Sequence, residues 1–146
     1  MKVLLADSSP LVCERLKTIL QNIEGLSIVA TASTFHDTIE MIDRAKPDVI
    51  ILDIQMKDGS GMNVVRRLKR EDPAAIIIVM TNLTNSLNKK KYLSEGVDFF
   101  LDKSFDFDKI VEILNGLLVS VPSEKENVRD GFQGIETPLK YESQLE

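Results

Sequence analysis

Four short apolar runs punctuate the chain, and each ends on a polar residue. Val3-Leu4-Leu5-Ala6 stops at Asp7, and Val49-Ile50-Ile51-Leu52 stops at Asp53. Ile76-Ile77-Ile78-Val79-Met80 stops at Thr81, and Phe99-Phe100-Leu101 stops at Asp102-Lys103. Unbroken runs of β-branched and aromatic residues are what strands covered on both faces require. Between them the period becomes helical. Ser9 before Pro10 pairs an N-cap with a first-turn proline, and Leu16, Ile19, Leu20 and Ile23 then recur at helical spacing until Gly25. Residues 26–31 read as a further strand. Ser33 or Thr34 caps a helix carrying Phe35, Ile39 and Ile42, which stops before Pro47. The loop Asp58-Gly59-Ser60-Gly61 is rich in residues that tolerate positive φ. A helix follows with Val64, Val65 and Leu68 inward and Arg66, Arg67, Lys69 and Arg70 outward, ending before Pro73. Further helices are predicted over 84–95, closed by Gly96, and over 106–119, with Phe107, Ile110, Val111, Leu114 and Leu118 on one face.

Five strand–helix units of this kind predict an α/β fold, a doubly wound five-stranded parallel sheet in the flavodoxin-like order 2-1-3-4-5 with helices on both faces. Functional groups in such a sheet gather outside the carboxyl ends of the strands. Two carboxylates, a hydroxyl and an ammonium are therefore expected at one edge. The order sets the first and third strands side by side, so Asp7 and Asp53 face each other. Two carboxylates about 4 Å apart repel by roughly 4 kcal/mol at an effective dielectric near 20, so the pair needs a cation. Lys103 supplies one charge, and a hard, oxygen-seeking magnesium ion would supply the remainder. No soft ligands for a transition metal accompany them.

Composition narrows the picture. A chain of 146 residues, 43% hydrophobic, builds one core and has no room for two full domains. A formal net charge of −5 argues against a nucleic-acid partner. The single cysteine, Cys13, cannot form an internal disulfide, and the apolar start before Asp7 is too short for a signal peptide. No run reaches membrane-spanning length, and the expected location is the cytoplasm. The pattern breaks after Val119. Residues 120–146 hold six acidic against three basic side chains among Pro122, Gly131, Gly134 and Pro138. They read as an acidic, disordered tail following a domain over 1–119, with Phe132, Ile135, Leu139 and Tyr141 as docking anchors.

Asp7 after the first strand, Leu52-Asp53 after the third, the Gly59 to Gly61 turn, Thr81 after the fourth and Lys103 after the fifth resemble the receiver domain of two-component response regulators. Alone, an aspartate at a strand end is more often a cap than a ligand, and a threonine there a satisfied turn hydroxyl; five marks in order carry the resemblance. It implies a phosphoacceptor and not an enzyme acting on external substrates, with Asp53 receiving a phosphoryl group from a sensor histidine kinase or phosphotransfer protein. Asp7, Asp53 and the backbone carbonyl of Gln55 would hold magnesium, Lys103 would pair with Asp53, and Thr81 would donate to a phosphoryl oxygen. Phe100 stands where the family has an aromatic switch residue, moving with Thr81. The fourth helix, fifth strand and fifth helix would form the output face toward an unknown downstream protein or a second copy. There Lys89 to Lys91 could pair with Asp106, Asp108 and Glu112.

Several positions depart from the family pattern. Ser8 replaces an acidic residue that is commonly a metal ligand, which implies weaker magnesium binding. Lys57 and Ser104 stand where prolines are usual, putting a cis peptide after Lys103 in question, and Asn82 is larger than the usual residue after the threonine. The tail is too short and too acidic for a helix-turn-helix output domain, so signalling by protein contact is expected. An alternative is a pseudo-receiver, never phosphorylated, that serves as a docking module. A third reading, a phosphohydrolase of the haloacid dehalogenase type, needs an aspartate two residues after the nucleophile, where this chain has Gln55. His36 reads as an incidental surface residue and Cys13 as a small hydrophobe at the edge of the first helix.

Overall fold

A computed structural model describes residues 1–59, 61–82 and 85–120. Strands and helices alternate strictly: β1 (Lys2–Ala6), α1 (Pro10–Leu20), β2 (Ser27–Ala32), α2 (Phe35–Ala45), β3 (Val49–Leu52), α3 (Gly61–Glu71), β4 (Ile76–Thr81), α4 (Ser86–Ser94), β5 (Phe99–Asp102) and α5 (Phe107–Ser120). The strands form one sheet in the order β2-β1-β3-β4-β5, every neighbouring pair parallel. This is the order expected from the sequence. The all-apolar runs of β3 and β4 become the fully buried central strands. Edge strand β2 alternates exposed and half-covered positions. Helices α1 and α5 cover one face, and α2, α3 and α4 the other.

Local chemistry sets the helix ends. Ser9 caps α1 by accepting the Val12 N–H, with Pro10 in its first turn, and Thr34 caps α2 by accepting the Asp37 N–H at 3.0 Å. Helix α4 starts at Ser86, capped by Asn85, and Gly96 at φ 104° reverses the chain after it. The expected start at Thr84 lies outside the described residues. So does Ser60, and so does the whole stretch 121–146 with Phe132, Ile135, Leu139 and Tyr141. Helix α5 runs one residue beyond the expected end, to Ser120, whose hydroxyl donates to the Gly116 carbonyl at 2.8 Å.

Two expectations need correction. The buried stripe of α5 is Phe107, Ile110, Ile113, Leu114 and Leu117, so Ile113 and Leu117 take the places assigned to Val111 and Leu118. The helix is apolar over more than half its circumference, and its packing against α1 and the sheet chooses the stripe. The glycines of the β3–α3 loop are not there for positive φ; among described residues only Gly25, Gly96 and Lys46 adopt it. At Gly61 a Cβ would lie 2.8 Å from the Ile54 side chain. The glycine permits close approach of two backbones instead. No helix among the described residues is long and apolar enough to cross a membrane.

Candidate functional site

Register brings the first two carboxylates together. Ala6 pairs with Leu52, and the next residue, Asp53, donates its N–H to the Ala6 carbonyl at 2.8 Å. Asp7 leaves the other edge of β1, donating to the Ala32 carbonyl at 2.9 Å. Both side chains are buried, Asp7 5% and Asp53 3% exposed. Lys103, one residue past β5, reaches between them: its Nζ lies 2.7 Å from Asp7 Oδ2 and 2.8 Å from Asp53 Oδ2. The remaining oxygens are held by backbone. Asp7 Oδ1 accepts the Ser9 N–H at 2.8 Å, and Asp53 Oδ1 accepts the Gln55 N–H at 2.9 Å.

Burial alone would lower the Lys103 pKa, but hydrogen bonds to Asp53 and then Asp7 outweigh it and raise the value above that of an ordinary lysine. Two carboxylates against one ammonium leave a formal net charge of −1 among these three side chains. Among the described residues each carboxylate oxygen makes one such contact and retains a lone pair beyond it. Carboxylate and carbonyl oxygens with a residual negative charge suit a small, hard divalent cation that keeps several of its waters. Among the described residues no group of three His, Cys, Asp or Glu comes together, and Ser8 is exposed beside Asp7 without adding a charge. The donor set therefore fits magnesium, with two side-chain carboxylates rather than three.

The other expected residues lie around this centre. Thr81 ends β4, fully buried, and its carbonyl accepts the Lys103 N–H at 3.0 Å. Phe100 is buried on the face of β5 opposite Phe99 and Leu101, with its ring centroid 6.1 Å from that of Tyr92. Burial pushes the Tyr92 phenol up, partly offset by a backbone hydrogen bond from Met62 at the start of α3. Two of the departing residues meet: Ser104 Oγ lies 3.3 Å from Asn82 Oδ1, joining the segments after β4 and β5. The peptide after Lys103 is trans.

Lys89 and Asp106 differ from expectation. Lys89 is 5% exposed, whereas Lys90 and Lys91 are open. Asp106 is buried and already engaged, accepting the Asp102 N–H at 2.7 Å and pairing with Lys109 at 3.3 Å. Of the charged residues expected on this face, Lys90, Lys91, Asp108 and Glu112 are exposed, and Lys89 and Asp106 are not. His36 is exposed on α2 as expected, and Cys13 is half-buried with its Sγ 3.7 Å from the Asp7 carbonyl. Burial first, and then the Asp7 charge, hold the Cys13 thiol above the usual range.

Sequence reasoning passed over two residues. Tyr92 is an aromatic in a helix with no apolar stripe, a hint of an inward anchor. Asp58, which the sequence marks only as a turn residue, accepts the Phe35 N–H at 2.8 Å and the His36 N–H at 3.1 Å through its carboxylate. No sequence signal announces a partner so far along the chain.

The model for the response regulator receiver domain matches residues 3–115. The transcriptional regulatory protein TrcR of Mycobacterium tuberculosis is 30% identical over 117 residues, covering 80% of this chain and 45% of that protein. The sensory transduction protein LytT of Bacillus anthracis is 30% identical over 115 residues, 78% of this chain and 46% of that protein. The chain thus spans about half the length of the curated relatives it matches. Among solved structures, the isolated REC domain of RcsB from Salmonella enterica serovar Typhimurium, in the presence of phosphomimetic BeF3-, superposes with a TM-score of 0.76. It is 23% identical and covers 90% of this chain and 97% of that one, a likeness of fold.

Proposed function

The chain belongs to the response regulator receiver family, and from that premise we propose that Asp53 is its phosphoacceptor, taking a phosphoryl group from a phosphohistidine on a sensor kinase or phosphotransfer protein. The observation that carries the reading is the single ammonium shared by two buried strand-end carboxylates. An Asp53 oxygen attacks phosphorus, the P–N bond breaks, and the ring nitrogen keeps the electron pair. Gln55 N–H and Lys103 Nζ fix the carboxylate's two oxygens before the attack, so little reorganisation is needed. Lys103 then neutralises the transferred group, and the Thr81 hydroxyl donates to one of its oxygens. Asp7, Asp53 and the Gln55 carbonyl would hold magnesium, more weakly than a site with a third carboxylate would; bound there, it would supply charge neutralisation of the phosphoryl oxygens.

The signal would leave through α4, β5 and α5, where Phe100 packs against Tyr92 and Lys90, Lys91, Asp108 and Glu112 are exposed. The partner there is a downstream protein or a second copy of this chain. The exchange would take place in the cytoplasm, a reading that the single cysteine supports. Intact mass after incubation with a small phosphodonor and magnesium tests the reading. One phosphoryl group should be gained, and lost in Asp53→Asn; a gain that survives this change or maps to His36 refutes it. The two-carboxylate donor set also supports a second reading, a docking module that Asp53 chemistry does not control. Partner binding indifferent to Asp53→Asn would favour it.

A further inference from the structure

The connection from Asp53 to Gly61 carries Gln55, whose N–H fixes one Asp53 oxygen, and three anchors hold it down. At its near end Ile54 packs so closely under Gly61 that a Cβ there would sit at 2.8 Å. In its middle Met56 is buried in the core. At its far end the Asp58 carboxylate spreads over the first two amides of α2, Phe35 N–H on Oδ1 and His36 N–H on Oδ2. Gly59 follows directly and lies against the Phe35 ring, its Cβ position 3.2 Å away. The amides, Phe35 before His36, hold the Asp58 carboxyl below the ordinary carboxylate range. Thr34 serves the same helix end separately, through the Asp37 N–H.

We propose that Asp58 is a positioning residue for the phosphoryl-acceptor site: by clasping the loop to the N-terminus of α2 it fixes the Gln55 backbone and, through it, the Asp53 carboxylate and the magnesium ligands. It rests on the function proposed above. Asp58 touches no reacting atom. A simple capping role would stabilise α2 and leave the site alone, just as Thr34 does. The clasp instead couples a helix end to the loop behind the nucleophile, over a separation of 23 residues. Outer partners that orient metal ligands commonly change affinity by ten- to a hundredfold.

The test compares Asp58→Ala, Asp58→Asn and Thr34→Val in the full chain. Magnesium titration followed by NMR should show about tenfold weaker binding in Asp58→Ala. Asp58→Asn, which keeps one acceptor oxygen, should fall between it and the parent, and Thr34→Val should match the parent. Phosphorylation by a small phosphodonor should need correspondingly more magnesium at half-maximal rate, with the rate at saturating magnesium nearly unchanged. Equal magnesium affinity in all four proteins, or equal losses in Asp58→Ala and Thr34→Val, would overturn the proposal. Amide exchange at Gln55 is a readout that needs neither metal nor phosphate. It should be faster in Asp58→Ala than in Thr34→Val, and equal rates sink the inference. Failure of the parent to gain a phosphoryl group sinks the proposed function instead, with the exchange comparison still deciding on Asp58.

Discussion

On one face of the sheet, α1 and α5 lay Leu16, Leu20, Ile110 and Leu114 against Leu5, Ile78 and Leu101. On the other, α2, α3 and α4 bring Phe35, Met62 and Tyr92 onto Met56 and Phe100. The first layer is mostly branched aliphatic, a material that packs in few rotamers and resists rearrangement. The second is aliphatic in its majority as well but gathers more rings and thioethers, Phe35, Tyr92, Phe100, Met56 and Met62, against Phe99, Phe107 and Met80 in the first, and its thioethers adapt to shifts at small cost. The loop that Asp53 opens, β3–α3, and the loop after Thr81, β4–α4, both lead into helices of that second layer. The alternation along β5 expresses the difference residue by residue, with Phe99 and Leu101 to the aliphatic wall and Phe100 to the adaptable side. The same strands thus face a more uniformly aliphatic layer on one side and one richer in thioethers on the other.

The largest expected effect breaks the wall. Leu114→Ala removes a fully buried side chain and should cost about 2–5 kcal/mol by denaturant unfolding. Phosphoryl uptake per folded molecule and the amide shifts of Tyr92 and Phe100 should stay as they were; strong shifts there would show that the faces are not independent. Gly61→Ala strikes the adaptable side where it is tight. Its Cβ would meet Ile54 at 2.8 Å, and the variant should lose about 1–3 kcal/mol together with slower phosphorylation. Tyr92→Phe removes the phenol bound by the Met62 backbone and should cost about 1 kcal/mol in melting experiments, leaving the wall's amide exchange untouched.

The smallest effect belongs to neither face. The Lys103 pKa is raised in the fold, so its contribution to stability is complete below the unfolded lysine value of about 10.4 and is lost as pH rises through the folded value. The unfolding free energy of the parent should therefore fall more steeply with alkaline pH than that of Lys103→Gln. Parallel curves would mean that the two carboxylates do not hold the ammonium.

Much of this was legible in the chain. Strand runs ending in Asp7, Asp53, Thr81 and Lys103 gave the sheet order and put those residues at one edge, because buried parallel strands leave few other arrangements. The cap of α1 was readable from Ser9-Pro10, and that of α2 to within Ser33 or Thr34, since capping is local. What failed was phase and reach. Helix α5 is apolar at Ile110, Val111, Ile113, Leu114, Leu117 and Leu118, so sequence offers two stripes and only packing selects one. In α4, Leu87 is exposed while Lys89 and Tyr92 are buried, the reverse of what hydropathy alone would assign to the first two. For Gly61, composition could not separate a need for positive φ from a need for space.

Ser104 and Asn82, whose side chains meet at 3.3 Å, bear on how such a domain can be altered. Each follows directly on a residue of the site, so the two positions form one unit of variation. Exchanging one of them leaves the other's polar group at the mouth facing water or a new neighbour. Engineering of this rim would therefore trade the residues as a pair, and a chain assembled from two different relatives with a junction between β4 and β5 would inherit half of a matched set.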